Sequence, residues 1–167
     1  MAMYMLEAGG LVVDKDPEPD PIRQAQFRNP YGFREARLTN LAGVFVNSIK
    51  LLDPTLFPNL PADSKLIWMG RPLSEILASW NDVIVAVAGA RFWEDPIARA
   101  KTVNAQWAAI LPTMNNPLVL DYDTVVADPL AAANQIGAFV NTADFTFNAA
   151  AAAAVVDTTL YINRSGS

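Results

Sequence analysis

Arg71 and Ser79 are the two residues whose types and spacing point most directly to chemistry. Arg71 follows the apolar run 66–69, where we expect a strand to end, and Ser79 stands eight residues later in the helical pattern that begins after Pro72. A permanently charged guanidinium and a hydroxyl donor near the first turns of a helix suit a phosphate or another anion. The alternative is structural: Arg71 pairs with Glu75 one helical turn later, and Ser79 faces solvent.

Carboxylates occur in two places where a metal ion or a general base could be considered. The segment 14–22 alternates prolines with acidic residues and lacks the glycine and the final glutamate of an EF-hand loop, so we interpret it as an exposed acidic loop (Asp14, Asp16, Glu18, Asp20). Asp121 and Asp123 flank Tyr122 at a predicted strand end. Either could be a base or a metal ligand, but we expect Asp123 to cap the turn that follows. We therefore predict no metal site.

Four tryptophans could stack on the adenine ring of a nucleotide. They stand on apolar strand and helix segments, which favours a place in the hydrophobic core instead (Trp68, Trp80, Trp93, Trp107).

Composition narrows the classes of protein that remain. The 167 residues are 52% hydrophobic and 17% charged, which predicts one folded domain over 1–167. The chain has no cysteine and no histidine, which excludes disulfides, thiol chemistry and histidine-based nucleophile pairs. A net charge of −5 and a pI near 4.6 argue against non-specific nucleic-acid binding. Neither a membrane span nor a signal peptide is visible, so we expect a cytoplasmic protein.

The elements that must position these residues alternate between strands and helices. Helices are predicted over 1–8, from Leu73 to about Val87, over 93–111, from Asp128–Pro129 to Val140, and over 148–156. Short strands are predicted over 11–13, 43–49, 65–69 and 118–120. This alternation indicates an α/β fold with a mostly parallel sheet flanked by helices.

Several segments together resemble one family. The strand followed by Arg-Pro-x-x-Glu-Ile-Leu-Ala-Ser, residues 71–79, resembles the 3′-phosphate-binding element of sulfotransferases that use 3′-phosphoadenosine-5′-phosphosulfate (PAPS). The segments MYMLEAGGLVV (3–13), NPYGFREA (29–36), LVLDYDTVVADPLAAANQIGAFV (118–140) and VVDTTLYINR (155–164) are similar, in the same order, to stretches of a bacterial branch of that family. The resemblance therefore runs collinearly over nearly the whole chain.

The resemblance implies a fold, a co-substrate and a set of site residues. It implies a P-loop nucleotide-hydrolase or sulfotransferase-like sandwich that transfers a sulfuryl group from PAPS to an acceptor hydroxyl or amine. Arg71 and Ser79 would hold the 3′-phosphate of PAPS or of its product PAP, and Arg164 would approach it from an Arg-x-Gly tail. The acceptor is a small molecule, a glycan or a protein that the sequence does not identify. Another enzyme chemistry that uses the Arg71 pocket for a different anion stays open.

One part of the family pattern is missing. No glycine-rich loop with a Lys or Arg to hold the 5′-phosphosulfate occurs in the sequence, which begins inside the helix expected to follow that loop. We therefore interpret the chain as truncated at the N-terminus and expect no sulfuryl transfer from it alone. The alternative from another class is a non-catalytic interaction or scaffold protein with a vestigial nucleotide site.

The missing first strand also predicts a defect in the sheet. That strand is expected between 43–49 and 65–69, and its absence would leave unpaired backbone groups on both neighbours. We expect 43–49 to pair directly with 65–69. The alternatives are an extended N-terminal segment that fills the gap, or a strand from a second copy in a homodimer.

Overall fold

The structure, a computed structural model, describes residues 1–13, 64–77 and 96–157. The described helices are α1 (Ala2–Ala8), α2 (Pro96–Ile110), α3 (Tyr122–Ala127), α4 (Pro129–Val140) and α5 (Ala149–Ala154), and the strands are β1 (Ile67–Gly70) and β2 (Leu118–Asp121). Residues 73–77 are helical as well, and a 3₁₀ turn, Leu111–Thr113, follows α2. The predicted strand at 43–49 and the acidic loop at 14–22 lie outside the described residues.

The two described strands are parallel. Ile67 pairs with Leu118 and Gly70 with Asp121, and the amide of Leu118 donates to the carbonyl of Leu66 at 2.9 Å. The chain passes through α2 between these strands, as parallel pairing requires. A mixed helix and strand structure with parallel pairing is therefore confirmed, on a described sheet of two strands.

Helices cover both faces of this small sheet. On one face Leu120 belongs to a buried apolar cluster with α1, α3, α4 and α5, in which Met5, Val125 and Ile136 are fully buried. On the other face the ring of Trp68 packs at 5.0 Å from the ring of Trp107 on α2. Trp107 is buried, so its predicted place in the core is confirmed, whereas Trp68 is half-buried and Trp80 and Trp93 lie outside the described residues. The alternation of side chains along a strand produces this division.

Local sequence signals set several helix ends as predicted. Asp128 caps α4 by accepting a hydrogen bond from the Ala131 amide at 2.9 Å, with Pro129 as the first helical residue. At the end of α1, Gly10 has a φ of +104°, and the amides of Gly10 and Leu11 bond back to the carbonyls of Glu7 and Leu6. This is a Schellman motif, and the left-handed backbone at its centre requires a glycine.

One predicted cap is wrong. We expected Asp123 to cap the turn after β2, but Asp121 caps α3, with its side chain accepting from the Thr124 amide at 3.1 Å. The reason is that α3 already begins at Tyr122, so Asp123 lies inside the first turn and Asp121 takes the position whose side chain reaches the third helical amide.

Other boundaries differ slightly from the expected ones. At 11–13 only Val13 has a β bridge, because the Schellman motif still occupies Leu11. The predicted pairing of 65–69 with 43–49 involves residues outside the described ranges and stays a prediction. Within the described residues, none of the helices has both the length and the apolar character needed to cross a membrane.

Candidate functional site

The carboxyl ends of β1 and β2 lie side by side and bring two sequence segments together. Gly70, the last residue of β1, pairs with Asp121, the last residue of β2. Arg71 follows the first and Tyr122 follows the second, so both lie at the same edge of the sheet. In α/β proteins ligands bind at this edge. The candidate site is therefore the polar cluster of Arg71, Glu75 and Tyr122, which we call the Arg71 cluster.

A buried carboxylate holds the Arg71 side chain. The Arg71 Nε atom lies 3.1 Å from Glu75 Oε2, and the Glu75 side chain is only 3% exposed, compared with 19% for Arg71. The ion pair between them is the structural alternative that the sequence allowed. It does not by itself exclude anion binding, because a guanidinium can contact a carboxylate and a phosphate through different N–H donors.

The Tyr122 ring forms a second support for the guanidinium. The Arg71 Cζ atom lies 4.9 Å from the centre of the Tyr122 ring, within the range of a cation–π contact. Burial raises the pKa of the Tyr122 hydroxyl above 10.0, Arg71 opposes this rise, and Glu75 adds to it. All three side chains are therefore electrostatically coupled.

The pKa of Tyr122 reports on this coupling. We expect the pKa to fall in Glu75→Gln, which removes a neighbouring negative charge, and to rise further in Arg71→Met, which removes the positive one. Because the folded-state pKa exceeds the unfolded value, the stabilisation from neutral Tyr122 is complete below pH 10.0 and is lost as pH rises through the folded pKa. NMR titration of ¹³C-labelled tyrosine, assigned with Tyr122→Phe, measures the order. The same pKa in all three proteins would contradict the coupling.

The other residues that the sequence suggested for a site are not shown to belong to the Arg71 cluster. Ser79 and Arg164 lie outside the described residues, as does the acidic loop. Asp121 is engaged as the α3 cap, and Asp123 is exposed on the same helix. Across 1–13, 64–77 and 96–157, no group of three or more His, Cys, Asp or Glu residues could hold a metal ion.

Two features of the cluster were not foreseen from the sequence. One is the burial of Glu75, and the other is the position of Tyr122 beneath the guanidinium. A signal for the second existed, since Arg71 and Tyr122 each follow a predicted strand, and parallel strands end at a common edge. Using it would have required knowing that these two strands are neighbours.

Fold and site together define an α/β protein with an arginine-centred polar cluster at the carboxyl edge of its parallel strands. Comparisons with protein-family models, with curated proteins and with solved structures find no match to this chain.

Proposed function

We propose that this chain is a sulfotransferase-like domain that binds PAPS or PAP through its 3′-phosphate, with Arg71 as the central contact. By resemblance, Ser79 and Arg164 would complete the phosphate site, and the domain would belong to the larger P-loop-type sandwich. PAPS would supply the sulfuryl group for transfer to an acceptor hydroxyl or amine. The proposal concerns the 3′-phosphate site, whose central residue lies in the described part of the chain.

The observation that carries the proposal is the placement of Arg71. Its guanidinium follows β1 at the ligand-binding edge and is held by Glu75 on one side and the Tyr122 ring on another. A side chain fixed in this way loses little conformational entropy when it binds an anion. A planar fork of N–H donors also matches two phosphate oxygens better than a point charge does.

The N–H donors of Arg71 can bind one phosphate group, but the neighbouring carboxylate of Glu75 gives this binding an electrostatic cost. Glu75 places a negative charge 3.1 Å from Arg71 Nε, and a phosphate must bind against that charge. The same observation favours a second candidate, a non-catalytic interaction or scaffold protein in which Glu75 neutralises Arg71 and the nucleotide site is vestigial. Binding of PAP separates the two functions.

Calorimetric titration with adenosine 3′,5′-bisphosphate tests the proposal. We expect the wild type to bind and Arg71→Ala to show no binding heat, because losing a charge-paired hydrogen-bond partner costs about 2–5 kcal/mol, roughly thirtyfold or more in affinity. Glu75→Gln should bind at least as tightly as the wild type, since it keeps Arg71 and removes the opposing charge.

Two further variants control this experiment. Lys65→Gln removes one positive charge from the other end of the same strand segment, where Lys65 Nζ contacts the Phe139 carbonyl at 2.7 Å, and should leave binding unchanged. Arg71→Ala/Glu75→Gln avoids a buried carboxylate without its guanidinium and should still fail to bind. Equal binding by wild type and Arg71→Ala would overturn the assignment, and no binding by the wild type would favour the scaffold function.

A further inference from the structure

The edge of β2 that faces away from β1 has backbone groups with no hydrogen-bond partner among the residues that the structure describes. Leu118 donates to Leu66, so the parallel register directs the amides and carbonyls of Leu118 and Leu120 toward β1. The groups of Val119, between them, point the opposite way. Val119 is 57% exposed, and within 1–13, 64–77 and 96–157 no hydrogen bond joins its outward amide or carbonyl to another residue. An open strand edge of this kind is a template for another strand.

A shallow groove follows the same edge, between β2 and α4. It consists of two partly open depressions of about 210 and 310 Å³ that share Gln135 as a lining residue. The first is lined by Val119 and Asp121, and the second by Asn116 to Leu118 and Phe139. No residue of β1 lines either depression, so both open on the side of the unpaired edge. Its lining follows the chain from Asn116 to Asp121, so an extended segment of similar length could lie beside it.

The charge of the groove indicates what could occupy it. Its lining includes one carboxylate, Asp121, and no Lys or Arg, while Lys65 lies beside the opposite end, with Nζ 2.7 Å from the carbonyl of the lining residue Phe139, so the acidic end is the one at Asp121. Asp121 lies two residues after Val119, on the same face of the strand. A segment that paired with Val119 would therefore place its own residue opposite Asp121, where Lys or Arg is favoured.

We propose that the outer edge of β2 binds an extended, basic segment of another protein by strand addition. The segment runs antiparallel to β2, because this arrangement lets one residue exchange both hydrogen bonds with Val119. A Lys or Arg two residues before that partner then lies opposite Asp121. This proposal is independent of the nucleotide function, because the Arg71 cluster contributes no residue to the groove.

A second copy of the chain is a weaker candidate for the same edge. Each copy carries a net charge of −5, so two copies repel one another. β2 is four residues long, and a pairing of that length covers much less than the ~1,200 Å² that stable interfaces bury. A basic peptide segment is attracted by the same charge and does not need a large interface.

A fluorescently labelled peptide, acetyl-Thr-Lys-Thr-Val-Thr-Thr-amide, is the probe for this site. Its valine is designed to pair with Val119 and its lysine to lie opposite Asp121. Fluorescence anisotropy should show saturable binding to the 167-residue chain. N-methylation of the valine amide should weaken binding roughly tenfold, because that amide donates to the Val119 carbonyl. N-methylation of the preceding threonine, whose amide points away from β2, should leave binding unchanged.

Charge and edge variants complete the test. Replacing the peptide lysine by glutamate should weaken binding about fivefold at low salt, and Asp121→Asn, which keeps a capping side chain, should remove that difference. Val119→Pro removes the outward amide without touching the β1 ladder and should abolish binding. Equal binding of the two N-methylated peptides, or no binding of the parent peptide, would overturn the proposal. So would a dimer in sedimentation that Val119→Pro dissociates, because the edge would then be occupied by a second copy.

Discussion

Replacing Arg71 with methionine is expected to lower the free energy of unfolding by about 3 kcal/mol. The methionine keeps most of the apolar stem of the side chain, so the loss comes from the charge. Glu75 is 3% exposed, and without the guanidinium that now lies 3.1 Å away its carboxyl group must either keep a buried charge without this partner or take up a proton, and both cost free energy. Removing one partner of a buried ion pair is costly because the other charge keeps its desolvation penalty.

A second substitution separates this mechanism from lost packing. In Arg71→Met/Glu75→Gln the buried carboxylate is gone as well, and we expect most of the lost stability to return. Lys65→Met is the matched single-charge control: Lys65 is exposed, so its loss should cost less than about 1 kcal/mol. Urea unfolding followed by circular dichroism measures all four proteins. An Arg71→Met variant as stable as the wild type would show that the pair does not hold the Arg71 cluster together.

The stability and binding experiments report different properties of one cluster. If the cluster is an anion site, Glu75→Gln should keep nucleotide binding, while Arg71→Met/Glu75→Gln should be folded and unable to bind. If the cluster is only a structural ion pair, the stability pattern holds and no variant binds PAP. Binding of PAP by the wild type and by Glu75→Gln, but not by Arg71→Met/Glu75→Gln, therefore separates an anion site from a structural ion pair.

The parts of the fold that the sequence predicts are those set by neighbouring residues. Asp128 followed by Pro129 predicts the start of α4, and Gly9-Gly10 predicts the end of α1, because capping depends on residues within one turn. The six alanines of α5 predict a helix from propensity alone. Arg71 could be placed at a strand end for a similar reason, since the apolar run and Pro72 bound the strand.

The parts that could not be predicted depend on residues far apart in sequence. Tyr122 lies beneath Arg71 only because β2 pairs with β1, and no local pattern states which strands are neighbours. The wrong cap at Asp123 has a related origin: a one-residue difference in where α3 begins transfers the capping role to Asp121. The burial of Glu75 also follows from tertiary packing, since the sequence pattern at 71–79 fits an exposed ion pair equally well.

Phe147 is a further long-range feature, and its removal should have the largest effect on stability. The residue lies in the loop before α5 and is 5% exposed. Its ring fits between two glycines: a methyl group on Gly9 would overlap it, and one on Gly137 would approach it to 3.3 Å. The ring therefore joins the end of α1 to α4, at a point where a methyl group on Gly9 has no room and one on Gly137 would displace the ring slightly. Phe147→Ala should lower the free energy of unfolding by about 4 kcal/mol, through lost burial and the cavity left behind.

The glycine and the ring should be strongly coupled. Gly9→Ala alone should cost about 1–3 kcal/mol, because the added methyl overlaps the buried ring of Phe147 and forces it to shift. In the Phe147→Ala background the same methyl enters the cavity, so its cost should fall to near zero or become a small gain. Phe145→Ala is the matched control, since Phe145 is only partly buried and should lose less than about 2 kcal/mol. Chemical unfolding of the four proteins in the cycle, with that control, gives the coupling energy. Additive effects of Gly9→Ala and Phe147→Ala would mean that the ring does not lie against Gly9 in solution.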